Sequence, residues 1–192
     1  MKQTAYNFTQ DIEELTRIIA RKVEEMSHID CDRIVFGLST ARSRSQYGVF
    51  ARCYPLRFEG GARTKRHDGA LYEWPKWNIK GREILYYIDF MLPRYLDLSP
   101  PQKIRTLVHE LFHVSPFFNG DLRRLGRGRQ AFHGRSRKWY ELRITPIVDE
   151  VAKLPDVKHF PFLHHTFDQL TNMHGAVVGQ RAKRLHPRAV RS

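Results

Sequence analysis

The stretch Ser99-Pro100-Pro101-Gln102-Lys103-Ile104-Arg105-Thr106-Leu107-Val108-His109-Glu110-Leu111-Phe112-His113 decides how this chain is read. Ser99 can cap a helix, the two prolines stand where a helix needs no amide donor, and Gln102 completes a capping box. Ile104, Leu107, Val108, Leu111 and Phe112 then form an apolar stripe at helical spacing, and Pro116 closes the helix. His109 and His113 stand at i and i+4 on it, one above the other, so both imidazoles can reach a single cation. Glu110 cannot bind that cation in the same way. It is left to handle a proton.

Zn²⁺ accepts neutral imidazole nitrogen and prefers a tetrahedral shell, so two histidines and one further protein ligand leave a position for water. A metal-activated water would attack a polarised carbonyl, with Glu110 as general base and then as acid to the leaving amine. Random order of this composition would produce the pattern roughly 0.03 times per chain, so it is read as chemistry rather than packing. For the third ligand the first choice is His133, set beside Gly134, which allows a sharp turn. Glu141, on the helix that follows, is the rival. His159, His164, His165 and His174 lack paired helical spacing and are read as surface or packing residues. Asp121 would either hydrogen-bond a ligand imidazole or pair with Arg123 or Arg124. Tyr140 is either a donor to a developing oxyanion or a core residue.

Working outward, Glu83–Leu92 is the strongest strand in the sequence, stopped by Pro93. Residues 33–38 and 49–58 read as further strands, and 9–27 as an amphipathic helix capped by Thr9. Residues 61–80 look basic and irregular. After the motif come a Gly/Arg-rich loop over about 119–135 and a helix over 136–154 that Pro146 is expected to kink or divide. A last amphipathic piece covers 162–173. The expected fold class is α+β: an N-terminal helix, a small and mostly antiparallel sheet, the helix carrying the histidines, and C-terminal helices. One domain is expected over 1–178, with its core at about 30–154, followed by a basic, flexible tail over 179–192.

At 192 residues with 41% hydrophobic content the chain can bury a core. No apolar run nears the ~18–20 residues of a membrane span, and no apolar signal core follows Met1, so a soluble, cytoplasmic protein is expected. Cys31 and Cys53 stand far apart, which excludes a disulfide framework and a cysteine-rich zinc finger or ribbon. Any metal must then be held by histidine and carboxylate. The net charge is +13, concentrated in 121–143 and in the tail from Gly179, which has no acid. Such clustering favours a polyanionic partner, nucleic acid before membrane, since no insertion helix accompanies it. A solubilising surface is the alternative.

The run from His109 to Pro116, then Phe118-Asn119-Gly120-Asp121-Leu122-Arg123-Arg124, then His133-Gly134-Arg135-Ser136-Arg137-Lys138-Trp139-Tyr140, resembles the phage metallopeptidase family. That family is in turn similar to the SprT-like zincins. The resemblance is specific over about 84–141, weaker over 30–83, and not visible after 150. It implies a zincin-like fold, His109, His113 and His133 as zinc ligands, Glu110 as the catalytic residue, and a protein or peptide substrate. Many SprT-like proteins end in a cysteine-rich ribbon, which this chain lacks, so any nucleic-acid contact falls to the basic loop 121–143 and the tail 179–192. Two other classes compete with the peptidase: a nucleic-acid-binding protein with a structural zinc, and a hydrolase of a non-peptide bond. Glu110 favours an enzyme, because a structural site has no use for an acid there.

Overall fold

Two apolar runs, residues 34–40 and 86–92, lie side by side and organise everything around them. The computed structural model describes residues 4–45, 47–124 and 137–190. In chain order the elements are β1 (Tyr6–Asn7), α1 (Phe8–Lys22), β2 (Ile34–Thr40), β3 (Ala51–Pro55), β4 (Thr64–His67), β5 (Ala70–Glu73), β6 (Asn78–Ile79), β7 (Arg82–Glu83) and β8 (Tyr86–Leu92). There follow α2 (Pro100–Phe112), α3 (Arg137–Lys153), α4 (Pro161–His164), α5 (Phe167–His174), β9 (Val177–Val178) and β10 (Arg188–Ala189). This is a mixed α and β protein with several helices and small sheets.

The central sheet has the order β2-β8-β3. Strand alternation divides its side chains between two cores. Ile34, Phe36 and Leu38 of β2, with Tyr86, Ile88 and Phe90 of β8, join the main core with α1 and α2. Val35 and Tyr87 face the other way, into a smaller core with Leu56, Trp74 and Ile84. Because both faces are covered, β8 reads as a continuous apolar run. Most pairings are antiparallel, as expected, but among the described residues the strands form four small sheets rather than one, and the longest pairing, β2 with β8, is parallel. The chain between those strands is long enough to cross over and return in the same direction.

Asn7 caps α1 by accepting from the Gln10 amide, and Ile12, Leu15 and Ile19 are its buried stripe. The helix expected to reach residue 27 stops at Lys22, and a 3₁₀ turn over Glu24–Met26 follows. Gln102 closes the start of α2 by accepting from the Ser99 amide and hydroxyl at 3.1 and 2.8 Å. α3 runs through Pro146 as one element. Ile144, Ile147, Val148 and Val151 are buried and hold it to the core on both sides of the proline. The stretch expected to be irregular contains the hairpin β4–β5, turning at Asp68 (φ 48°) and Gly69 (φ 77°). Positive φ at both central residues is the type I′ requirement that Asp-Gly meets.

Residues 179–190, expected as a flexible tail, make defined contacts. Leu38 donates its amide to the Gln180 carbonyl at 2.9 Å, and β10 pairs antiparallel with β5. Ala182 and Leu185 pack into the smaller core. Among the described residues, no helix is long and apolar enough to cross a membrane.

Candidate metal centre

The capped start of α2 fixes the phase of the helix, and Leu107, Val108 and Leu111, all fully buried, lock one side of it to the core. His109 and His113 thereby come to one wall of a cleft of about 720 Å³, which also includes Glu110, Cys53, Tyr140 and Glu141. Their rings lie 4.8 Å apart between centroids, at 79° to one another. Two imidazoles in such contact, open to a cleft, suit a shared cation. His113 is the C-cap of α2, and its carbonyl accepts the Arg123 amide at 2.7 Å. The bridge between Val114 and Leu122 folds the following segment back against the end of the helix.

Glu110 is buried at 6% exposure, and its carboxylate accepts the Cys53 amide of β3 at 2.7 Å. Burial pushes this carboxyl up to about 7, against the lowering effects of that hydrogen bond and of the nearby Arg52 charge. A carboxyl in that range can both take and return a proton near neutrality. The Cys53 thiol beside it is pushed well upward by burial, so it stays protonated and is no ready nucleophile.

Tyr140 of α3 packs on both imidazoles, with centroids 4.5 Å from His109 and 6.2 Å from His113. Its hydroxyl donates to the His109 carbonyl at 3.1 Å, and burial raises its pKa further from the physiological range. Glu141 forms an ion pair with Arg105, one helical turn before His109, and Arg105 also reaches the Thr145 hydroxyl at 3.5 Å. Asp121 pairs with Arg124 at 2.8 Å and accepts the Gly60 and Leu122 amides at 2.9 and 2.8 Å. These contacts make it a clip between the segment after α2 and the turn before β4, as in the ion-pair reading. His133 and most of the loop 121–143 lie outside the described residues. Among the described residues, no group of three or more His, Cys, Asp or Glu side chains is placed to hold a metal.

Sequence reasoning missed two parts of this cleft. Cys53 contributes a backbone amide, which no side-chain pattern announces. Arg105 is half-buried and lies outside the apolar stripe of α2, although its spacing of four from His109 puts it on the same face.

No curated protein and no solved structure matches this chain. The family described as "Putative phage metallopeptidase" matches residues 4–156. That span runs from β1 through the central sheet and α2 to beyond the end of α3, so the match includes every element that builds the cleft. The chain belongs to this phage metallopeptidase family.

Proposed function

We propose that this protein is a zinc-dependent metallopeptidase with a zincin-like arrangement, in which His109, His113 and His133 hold the ion and Glu110 is the general base. Family membership implies a metal, and a peptidase acts on protein or peptide substrates. The observation that carries the reading is the adjacency of the His109 and His113 rings on the cleft wall, with the Glu110 carboxylate on the next residue. Imidazole nitrogen suits zinc, and the pairing of Glu141 with Arg105 supports His133 as the third ligand. When bound, the metal supplies Lewis-acid polarisation and makes water acidic enough to lose a proton near neutral pH.

The chain's own residues supply the rest. A substrate strand would add along the edge of β3, where the Cys53 amide now bonded to Glu110 is a donor for an incoming carbonyl. Taking that donor releases the carboxylate into the cleft, where Glu110 receives a proton at a carboxylate oxygen and passes it to the leaving amine. Tyr140 keeps the imidazoles in place through its ring, and its hydroxyl is the candidate donor to a developing oxyanion once it leaves the His109 carbonyl. The SprT-like resemblance and the +13 charge support substrates associated with nucleic acid, with loop 121–143 and the tail 179–192 as the contacting segments.

The test is Glu110→Gln, assayed on a mixture of unstructured peptides with metal content measured in parallel. The variant should keep its zinc and lose cleavage by at least about a hundredfold, the usual worth of general base catalysis. Cleavage at the wild-type rate would overturn the assignment.

A further inference from the structure

The C-terminal segment crosses the face of the central sheet opposite to α2. Three independent contacts fix its path: the Leu38 amide on β2 donates to the Gln180 carbonyl, the Tyr87 hydroxyl on β8 to the Ala182 carbonyl at 3.4 Å, and Arg184 lies 4.2 Å over the Tyr54 ring on β3. It then joins the outer hairpin as β10, next to β5. Gly179, Ala182 and Leu185 recur at every third position and are half-buried. Gly179 approaches so closely that a Cβ there would meet Leu38 and Thr9 side chains at 2.6 and 2.8 Å. The residues between them, Gln180, Arg181, Lys183 and Arg184, and His186 after them, are exposed.

Small and apolar residues thus dock the strap and leave its cations on the outside. Arg181, Lys183, Arg184 and Arg188 form a row about 23 Å long at the ~3.3 Å rise of an extended chain, with no acid among residues 179–192. Pairing of β10 with β5, and of β5 with β4, sets Arg188 opposite Glu73 and Thr64, so the exposed Arg66 lies on the same face about 12 Å from the end of that row, with Lys65 alternating to the other face. Two basic segments remote in sequence become one fixed surface. On this side Glu73 is paired with Arg63, and Glu83 with Arg57.

We propose that this strap and the adjoining hairpin are a preformed site for the phosphate backbone of nucleic acid, on the side of the sheet away from the metal cleft. Fixed cations spaced along an extended ridge match a linear polyanion and lose little entropy on binding it. A bilayer fits worse, because the strap uses Ala182 and Leu185 for docking and Val190 is its one exposed large apolar residue among those described. The inference deepens the nucleic-acid part of the proposed function and is independent of its catalytic part.

The experiment is fluorescence anisotropy of a labelled DNA duplex of about 20 base pairs, titrated with the full chain at several salt concentrations. The variant Arg181→Glu/Lys183→Glu is compared with Lys153→Glu/Lys158→Glu, the same charge change at the end of α3 and the turn after it. Circular dichroism confirms folding, and Arg181→Gln/Lys183→Gln is the milder second variant. The strap variant should lose at least about tenfold in affinity and flatten the log–log salt slope by about 2, whereas the control should lose less than about threefold. The glutamine variant should move the same way by a smaller amount. Equal losses in strap and control variants, an unchanged strap variant, or tighter binding to phosphatidylserine vesicles than to DNA would each overturn the proposal. Because binding alone is read, the outcome is separate from any result on zinc or cleavage.

Discussion

Replacing Tyr86 with phenylalanine removes one oxygen bonded to three backbone groups, two of which, the Ser115 amide and the Asp121 carbonyl, also bond each other at 3.3 Å. The Tyr86 side chain is fully buried, and its hydroxyl donates to the Asp121 carbonyl at 2.8 Å while accepting the Gly120 and Ser115 amides at 3.0 and 3.3 Å. Phenylalanine keeps the ring and its contact with Phe118, centroids 5.2 Å apart, so the change isolates the hydrogen bonds. At about 1 kcal/mol for each neutral buried bond, and about half that for the long one, the loss comes to roughly 2.5 kcal/mol. For a chain of this length that lowers the thermal midpoint by about 5–10 °C. The three groups belong to the segment that folds back from His113 to Arg123, so the variant should also bind zinc more weakly than wild type. Urea unfolding followed by circular dichroism reads the first effect, and a zinc titration reads the second. A change in stability below about 0.5 kcal/mol would show that these backbone groups hold without the Tyr86 hydroxyl.

Burial brings the Lys103 ammonium down to about 8, although it donates to the Phe162 and His165 carbonyls at 2.8 Å each. Unfolded lysine titrates near about 10.4, so between those values the unfolded chain holds more protons and stability rises with pH; below about 8 the penalty is fully present. Urea unfolding from about pH 7 to 9.5 should show that rise in wild type and a flatter profile in Lys103→Met, and parallel profiles would contradict it. At the cleft, Glu141→Gln should leave zinc stoichiometry unchanged, because its carboxylate serves Arg105, whereas His133→Ala should weaken zinc binding at least about tenfold. The reverse pattern, measured by competition with a zinc-binding dye, would make Glu141 the ligand. Leu107→Ala, at a fully buried position of α2, should cost about 2–5 kcal/mol in the same urea assay, and a cost under about 1 kcal/mol would deny α2 its place in the core.

What the sequence made legible follows from the physics of each element. α2 and β8 announce themselves because capping chemistry and a long apolar run are local signals, read within one window. The i, i+4 spacing of His109 and His113 is equally local. The parallel pairing of β2 with β8 depends on a crossover of the whole intervening chain, which no window contains. β4 and β5 were hidden because exposed, charged residues fill β4 and no alternating apolar pattern marks it; Asp68-Gly69 was the available clue. The docking of residues 179–185 has a period of three, belonging to neither helix nor strand, and the partners Leu38, Tyr54 and Tyr87 are remote in sequence. The bond from the Cys53 amide to Glu110 likewise needs the register of β3 against α2.

The zinc content of the purified full chain, measured by mass spectrometry after dialysis against zinc and then against buffer, shows whether His109 and His113 share an ion. Wild type should hold about one zinc per chain, and His109→Ala and His113→Ala should each hold close to none at the same concentrations. Wild-type protein free of zinc, or either histidine variant retaining it at the wild-type level, would mean that this histidine pair is not a zinc site.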